Sequence, residues 1–203
     1  MRLFVALDIA AEIRDRIAQF VADTRKLASE ARWVNPAAFH VTLKFIGEKS
    51  PEAMEEIKRA LAGIQSPQTS IAFSATGFFP NPRAARVFWA GMAADANLAA
   101  LAAKVDEVLS NLKIPPEEHA FTPHLTLARG GDRRHPRGGS GRPQWQAGDG
   151  PQAHFHRLQE HLAASPAPDF GAMTATEFFL FESKLSPRGA QYVKLASYPL
   201  QAT

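Results

Sequence analysis

The sequence predicts an α+β protein with antiparallel sheets, and three observations support this prediction. Stretches with strand-like and with helix-like periodicity are both present, but they alternate only in part along the chain. The last strand-like stretches follow one another closely enough to form a hairpin. The sequence contains neither a Gly-x-Gly-x-x-Gly fingerprint nor a Walker phosphate loop, so doubly wound parallel nucleotide folds lose their main support.

The strands are predicted from short apolar runs that end at glycine, proline or charged residues. Residues 2–7 are apolar on both faces, which is typical of a strand in the middle of a sheet. Two further runs, 71–79 and 86–92, are separated by a proline-containing break that favours a hairpin. The remaining strands are predicted at 39–46, 121–129, 174–182 and 191–200.

Helices are predicted where apolar residues recur at helical spacing. The first covers residues 10–28, and a short one is expected at 153–164. Ser50, followed by Pro51, is expected to cap the second helix, and Asp95 the third.

Composition excludes several classes of protein. The chain has 203 residues, of which 45% are apolar and 21% are charged, which is ordinary for a globular protein of one domain or two small lobes. It has no cysteine, so disulfides, thiolate zinc sites and cysteine nucleophiles are excluded. No apolar run approaches the ~18 residues of a membrane span, and the apolar start is too short for a signal peptide. We expect a cytoplasmic monomer without membrane contact.

The net charge of +3 is unevenly distributed. Residues 129–142 contain five arginines and only one aspartate, so the rest of the chain is slightly acidic. The surrounding segment, 130–151, is rich in glycine, proline and arginine and shows no periodicity. We therefore predict a long mobile loop at 130–151.

A short repeat is the most informative feature for function. Residues 39–45 are Phe-His-Val-Thr-Leu-Lys-Phe, and residues 121–129 are Phe-Thr-Pro-His-Leu-Thr-Leu-Ala-Arg. Each copy holds His-x-Thr-Leu in a predicted strand, with His40 and Thr42 in the first and His124 and Thr126 in the second. Because residues i and i+2 of a strand share a face, each strand presents an imidazole beside a hydroxyl. Two such strands facing each other would place both pairs in one cleft.

This set of side chains suits phosphoester chemistry. A neutral histidine can take a proton from an attacking hydroxyl or water, and a protonated histidine can donate a proton to the leaving oxygen. Threonine hydroxyls can donate hydrogen bonds to the non-bridging oxygens, where transition-state charge collects. The scheme requires no metal and no cofactor. A single His-x-Thr copy is common by chance and a lone histidine is usually structural, but two matching copies are hard to assign to chance.

With these motifs the chain resembles the 2H phosphoesterases, and among them the bacterial and archaeal RNA 2′,3′-cyclic phosphodiesterases, also called 2′-5′ RNA ligases. The resemblance extends over nearly the whole chain. Besides the two motifs, it includes the first strand 2–7, Arg32-Trp33-Val34 before the first motif, and a C-terminal hairpin with 183–187, Gly189 and Tyr192.

The resemblance implies a fold and a reaction. The fold has two pseudo-symmetric lobes, each an antiparallel sheet with outer helices, around a central cleft, and residues 1–203 would form this single domain. The reaction is hydrolysis of a terminal RNA 2′,3′-cyclic phosphate to a 2′-phosphate, with joining of RNA ends through a 2′-5′ linkage as related chemistry. The implied partners are RNA ends or nucleotides that carry a 2′,3′-cyclic phosphate.

The resemblance also implies roles for the motif residues. His40 would be the general base toward water, and His124 the general acid toward the 3′ oxygen. Thr42 and Thr126 would hold the phosphoryl oxygens, and Arg129 would contact the phosphate or the base.

Phe45, just after the first motif, has two interpretations. It could be a platform on which a base stacks, or it could be a phenylalanine of the core. Strict strand alternation places it on the face opposite His40, which favours neither interpretation decisively.

Other features also leave alternatives open. The loop at 130–151 could contact the RNA backbone or be a solvated linker. Surface histidines are a better interpretation of His154, His156 and His161 than a metal site, because no matching carboxylate pattern accompanies them. A non-catalytic module that binds RNA ends, and a phosphodiesterase acting on small cyclic nucleotides, remain alternative functions.

Overall fold

Two antiparallel sheets make up the framework of the computed structural model, which describes residues 1–130, 154–186 and 189–202. The first sheet has the order β3-β1-β8-β9 and the second has the order β2-β6-β5-β4-β7. The strands are β1 (Arg2–Asp8), β2 (Arg32–Trp33), β3 (His40–Glu48), β4 (Thr69–Phe79), β5 (Val87–Ala94), β6 (Leu125–Arg129), β7 (Asp169–Ala175), β8 (Glu177–Ser186) and β9 (Gly189–Pro199). The predicted α+β class is therefore confirmed.

The helices lie on the core side of the sheets. They are α1 (Ala11–Thr24), α2 (Pro51–Ala62), α3 (Ala96–Ser110) and α4 (His156–Ala163). Helix α3 packs against both β3 and β4 and so contacts both sheets, while α1 packs against β7. No helix in the described part of the chain is long and apolar enough to cross a membrane.

The predicted helix starts are confirmed by hydrogen bonds from the caps. The Ser50 hydroxyl accepts from the Ala53 amide at 3.2 Å, and Asp95 accepts from the Asn97 amide at 3.0 Å. Helix α1 ends earlier than predicted, because the chain tightens into a 3₁₀ turn over Arg25–Ala28.

One continuous core joins the two sheets. Leu7 of the first sheet and Phe88 of the second belong to the same cluster of buried side chains. Strand β1 is buried along most of its length, as its apolar pattern predicts, and its side chains divide between two faces. Leu3, Val5 and Leu7 point into the shared core, whereas Phe4 and Ala6 form a smaller cluster on the opposite face.

The structure differs from the prediction in one strand boundary and in two additional strands. Strand β6 begins at Leu125 rather than at residue 121, since Pro123 cannot donate to a ladder. Strands β2 and β7 were not predicted, because β2 has only two residues and β7 contains Gly171 at a φ of +93° with few β-branched residues. The loop predicted at 130–151 lies, except for residue 130, outside the described residues.

Candidate active site

The two motif strands come together where the sheets adjoin. Strands β3 and β6 are in contact, and a cleft of about 440 Å³ opens over their outer faces. His40, Thr42, His124 and Thr126 all line this cleft. The structure therefore brings together both pairs of side chains that the sequence repeat singles out.

The cleft is suited to an anion. Arg2 and Arg129 line it together with both histidines, and no carboxylate is among its lining residues in the described part of the chain. The hydroxyls of Thr42 and Thr126 add hydrogen-bond donors to this positive environment.

The two histidines are held in the same way, although they sit at the ends of their strands and not within them. His40 is the first residue of β3, and His124 immediately precedes β6. Nδ1 of His40 lies 2.8 Å from the carbonyl oxygen of Ala38, and Nδ1 of His124 lies 2.9 Å from that of Thr122. Because a carbonyl oxygen only accepts, each Nδ1 carries the proton and each Nε2 is left for chemistry.

Aromatic rings surround His40. Its ring centroid lies 4.8 Å from that of Phe4 and 5.0 Å from that of Tyr192, which meets it edge-on at 88°. Burial lowers the pKa of His40 below its usual value, and the positive charges of Arg129 and His124 act in the same direction. The Ala38 carbonyl and the Asp8 carboxylate oppose this shift without cancelling it. His40 is thereby favoured in the neutral form, which is the form that accepts a proton.

His124 has one aromatic neighbour in the described residues. The ring of Phe79 on β4 meets it edge-on at a centroid distance of 4.9 Å. The surroundings of the two histidines thus differ, even though their backbone anchors are alike.

A β-bulge brings Phe45 into the cleft, contrary to the expectation from strict alternation. Thr42 pairs with Ala6 and Lys44 pairs with Val5, so Leu43 has no partner in β1. The extra residue reverses the phase of the strand, and Phe45 returns to the face that carries His40. Its side chain is 59% exposed and lines the cleft.

A second bulge does the same for Arg129. Thr126 pairs with Trp89 and Ala128 pairs with Phe88, so Leu127 has no partner in β5. Arg129 then pairs with Val87, on the same face as Thr126, and lines the cleft. Phe45 and Arg129 each stand five residues after their histidine and are equivalent positions of the two motifs.

Sequence reasoning missed two cleft residues, Arg2 and Tyr192, as parts of a site. The available signal for Arg2 is phase, because it lies an even number of residues from Phe4 and Ala6 on one strand. Tyr192 pairs with Ser183 in the predicted C-terminal hairpin, but it reaches the cleft only through the pairing of β8 with β1, which no local pattern predicts.

The same bulge that exposes Phe45 buries Lys44. This side chain is only 2% exposed, and its Nζ donates to Asp106 on α3 and to the Pro115 carbonyl oxygen at 2.7 Å. The ion pair closes one wall of a neighbouring cavity of about 430 Å³, which shares Phe45 and His124 with the cleft.

The three C-terminal histidines lie apart from the cleft lining. His154 lies 3.4 Å from Glu30, and His156 lies 3.5 Å from Glu160 on its own helix. Within residues 1–130, 154–186 and 189–202, no three His, Asp or Glu side chains are grouped as metal ligands.

Two curled antiparallel sheets with a pair of His-x-Thr motifs at their junction define the class of two-histidine phosphoesterases. A family model described as LigT-like phosphoesterase matches residues 7–89 and 92–138. The chain belongs to this LigT-like phosphoesterase family of the 2H phosphoesterase superfamily. The resemblance found in the sequence is thus confirmed.

Relatives and solved structures agree with this assignment over nearly the full chain. The RNA 2′,3′-cyclic phosphodiesterase of Methanocaldococcus jannaschii is 30% identical over 192 residues, covering 95% of this chain and 96% of the relative. That of Archaeoglobus fulgidus is 29% identical over 195 residues, covering 96% and 98%. E. coli LigT in complex with 3′-AMP has a TM-score of 0.74 at 25% identity, with 98% and 97% covered.

Proposed function

We propose that this protein hydrolyses the 2′,3′-cyclic phosphate at the end of an RNA to a 2′-phosphate. The observation that carries the proposal is the pair of like-anchored histidines, each beside a threonine, in one cleft that no carboxylate of the described residues lines. The relatives from Archaeoglobus fulgidus and Methanocaldococcus jannaschii are RNA 2′,3′-cyclic phosphodiesterases that align over nearly the whole chain, and they support the same activity.

In the proposed reaction, His40 is the general base and His124 the general acid. Nε2 of neutral His40 takes a proton from water as the water oxygen bonds to phosphorus. The bond between phosphorus and the 3′ oxygen breaks, and Nε2 of protonated His124 gives that oxygen a proton. The lowered pKa of His40 supports its part, because a base must be unprotonated at the start.

The other cleft residues bind the phosphate and the nucleoside in this proposal. Thr42 and Thr126 donate to the non-bridging oxygens, and Arg129 balances the negative charge that they gain. Phe45, exposed in the cleft, offers a face on which the terminal base stacks.

Product analysis on an RNA with a 2′,3′-cyclic phosphate end tests the proposal. We expect a 2′-phosphate, formed equally well with a metal chelator present. A 3′-phosphate would contradict the assignment of the 3′ oxygen as the leaving group. Turnover of small cyclic nucleotides with no turnover of RNA would favour the small-nucleotide alternative, and binding without turnover would favour a non-catalytic module.

Histidine variants test the two-histidine mechanism. We expect His40→Gln and His124→Gln each to lower kcat by about 10²–10⁴-fold, which is the usual contribution of a general acid or base. His161→Gln is the matched control, because His161 is exposed on α4 and absent from the cleft lining. Full activity in His124→Gln would disprove the mechanism.

Joining of RNA ends is the same chemistry with a 5′-hydroxyl in place of water: the 5′ oxygen bonds to phosphorus, the bond to the 3′ oxygen breaks, and a 2′-5′ linkage results. We propose that the chain works as one functional unit with either nucleophile, since the first sheet supplies one half of the site and the second supplies the other. Incubating an RNA 2′,3′-cyclic phosphate with a 5′-hydroxyl RNA, followed by linkage analysis, tests the joining reaction.

A further inference from the structure

We propose that Arg2 forms a subsite for the phosphodiester on the 5′ side of the terminal nucleoside, so that the cleft binds oligonucleotide ends more tightly than mononucleotides. This inference rests on the proposed function, because it takes the two motifs as the site of the terminal cyclic phosphate. It concerns a residue outside both motifs.

Position is the first argument. Alternate residues of β1 share one face of the first sheet, in the order Asp8, Ala6, Phe4 and Arg2, and of these Phe4 and Arg2 line the cleft. Their partners on β3 are, in the same order, His40, Thr42, Phe45 and Glu48. Arg2 therefore lies one step beyond Phe4 and Phe45, at the end of the row away from His40.

The distance along β1 from Ala6 to Arg2 suits the next phosphodiester of an oligonucleotide. Arg2 is four positions before Ala6, which lies beside Thr42, and a strand rises by ~3.3 Å per residue, or about 13 Å over this interval. A guanidinium at the end of a long side chain can shorten this distance toward the cleft. A base stacked on Phe45 would place its own 5′ phosphodiester between the reacting phosphate and Arg2.

Availability is the second argument. Arg2 is exposed and lines the cleft, and its guanidinium has no hydrogen bond or ion pair within the described residues. Glu48, its neighbour on β3, lies 3.3 Å from the amino group of Met1 instead. An unpaired guanidinium in a cleft without lining carboxylates favours a phosphate as its partner.

A binding experiment with two product-like ligands tests this subsite. Calorimetry would compare 2′-AMP with the dinucleotide ApA carrying a 2′-phosphate, on the wild type and on Arg2→Gln. We expect the ratio of the dinucleotide Kd to the 2′-AMP Kd to rise about tenfold in Arg2→Gln. The salt dependence of dinucleotide binding should fall by the equivalent of one phosphate contact. Arg2→Lys should recover part of the loss, because lysine restores the positive charge but not the paired N–H donors of the guanidinium.

Three controls separate the subsite from other roles of the residue. Arg59→Gln removes an exposed arginine from α2, away from the cleft lining, and should leave the ratio unchanged. Arg129→Gln should weaken both ligands together. A dinucleotide with a neutral methylphosphonate linkage should bind wild type and Arg2→Gln with the same ratio to 2′-AMP.

The outcomes distinguish this inference from the proposed function. Equal weakening of both ligands in Arg2→Gln, no weakening, or no binding of either ligand to the wild type would overturn the subsite. A hydrolysis assay on the cyclic-phosphate forms of the two ligands runs in parallel. Selective loss of dinucleotide binding without any hydrolysis supports the subsite and contradicts the proposed function.

Discussion

His40 owes its electrostatic properties to the rings packed around it. Phe4 and Tyr192 exclude water from the imidazole, and the resulting burial is the largest cause of its lowered pKa. The Ala38 carbonyl fixes the tautomer, so the backbone leaves Nε2 free to accept a proton and the rings favour the neutral form of the imidazole.

Tyr192→Ala should therefore move the acidic limb of the rate profile to higher pH. A lowered pKa keeps His40 neutral, and so active as a base, down to lower pH; restoring solvent raises that pKa toward the ordinary value of about 6.5. The measurement is kcat/KM against pH for wild type, Tyr192→Ala and Tyr192→Phe. Because Tyr192→Phe keeps the ring, its acidic limb should stay with that of the wild type. An unmoved limb in Tyr192→Ala would show that Tyr192 does not position or desolvate the base.

The buried ion pair of Lys44 contributes to the stability of the fold. Lys44→Met leaves the Asp106 carboxylate without its cation, and because Asp106 is still 26% exposed we expect a loss of about 1–3 kcal/mol. Adding Asp106→Asn should restore part of the loss, since the amide oxygen still accepts from the Glu117 amide without carrying charge. Denaturant unfolding measures both, with exposed Lys26→Met as control. A loss no larger than that of the control would contradict the burial argument.

At the scale of elements, the two bulges explain why the sequence predicts the motifs better than their surroundings. The shared face of His40 and Thr42 follows from a period of two and needs no further information. The positions of Phe45 and Arg129 do not, because one unpaired residue in each strand reverses the phase. A bulge is set by pairing with β1 or β5, and these partners are far away in the chain.

The remaining elements divide in the same way. Helices α2 and α3 start where Ser50 and Asp95 predict, since a cap is a local interaction. Strand β7 could not be predicted, because its glycine and alanine residues become a strand only by pairing with β4. The two-lobed arrangement was accessible through the family resemblance, not through periodicity.

Asp95 ties helix α3 to strand β4 and supports a prediction about pH. Its carboxylate accepts from the Ser70 amide at 2.9 Å and from the Thr69 hydroxyl at 2.7 Å, besides capping the helix. The Ser70 amide, followed by the Thr69 hydroxyl, lowers the pKa of Asp95 below its usual value. We expect Asp95→Ala to reduce the free energy of unfolding by about 1 kcal/mol at pH 7.

The difference should shrink as the pH falls. A carboxyl whose pKa is lowered in the folded state stabilises the fold fully at a pH above its unfolded-state pKa of about 3.9. This contribution is lost as the pH falls through its folded-state pKa. Urea unfolding of wild type and Asp95→Ala at pH 7 and below pH 4 measures the difference. Asp23→Ala, an exposed aspartate of α1, is the control, and a difference that persists unchanged in acid would contradict the assignment.

At the scale of the whole molecule, the shared core predicts that the two sheets unfold together. Leu7→Ala, in the first sheet, removes a fully buried side chain and should cost about 2–5 kcal/mol. Trp33 and Trp89 both lie in the second sheet, so their fluorescence reports on the sheet that is not mutated. A Trp145→Phe background removes the third tryptophan of the chain.

The expected result is one transition. The urea midpoints from far-ultraviolet circular dichroism and from tryptophan fluorescence should fall by the same amount in Leu7→Ala. A fluorescence midpoint that stays at the wild-type value while the dichroism midpoint falls would show that the sheets are independent.

The paired bulges also bear on how a nearly two-fold site would carry out the proposed reaction with only one ribose oxygen as the leaving group. A phosphate in the cleft meets an imidazole and a hydroxyl from either side, so the duplicated parts alone accept it in two opposite orientations. The unlike pair at the fifth position, a phenyl ring in one strand and a guanidinium in the other, breaks that degeneracy. In the proposed reaction, Phe45 and Arg129 therefore determine which ribose oxygen leaves, and exchanging these two side chains should reverse the orientation in which the substrate binds.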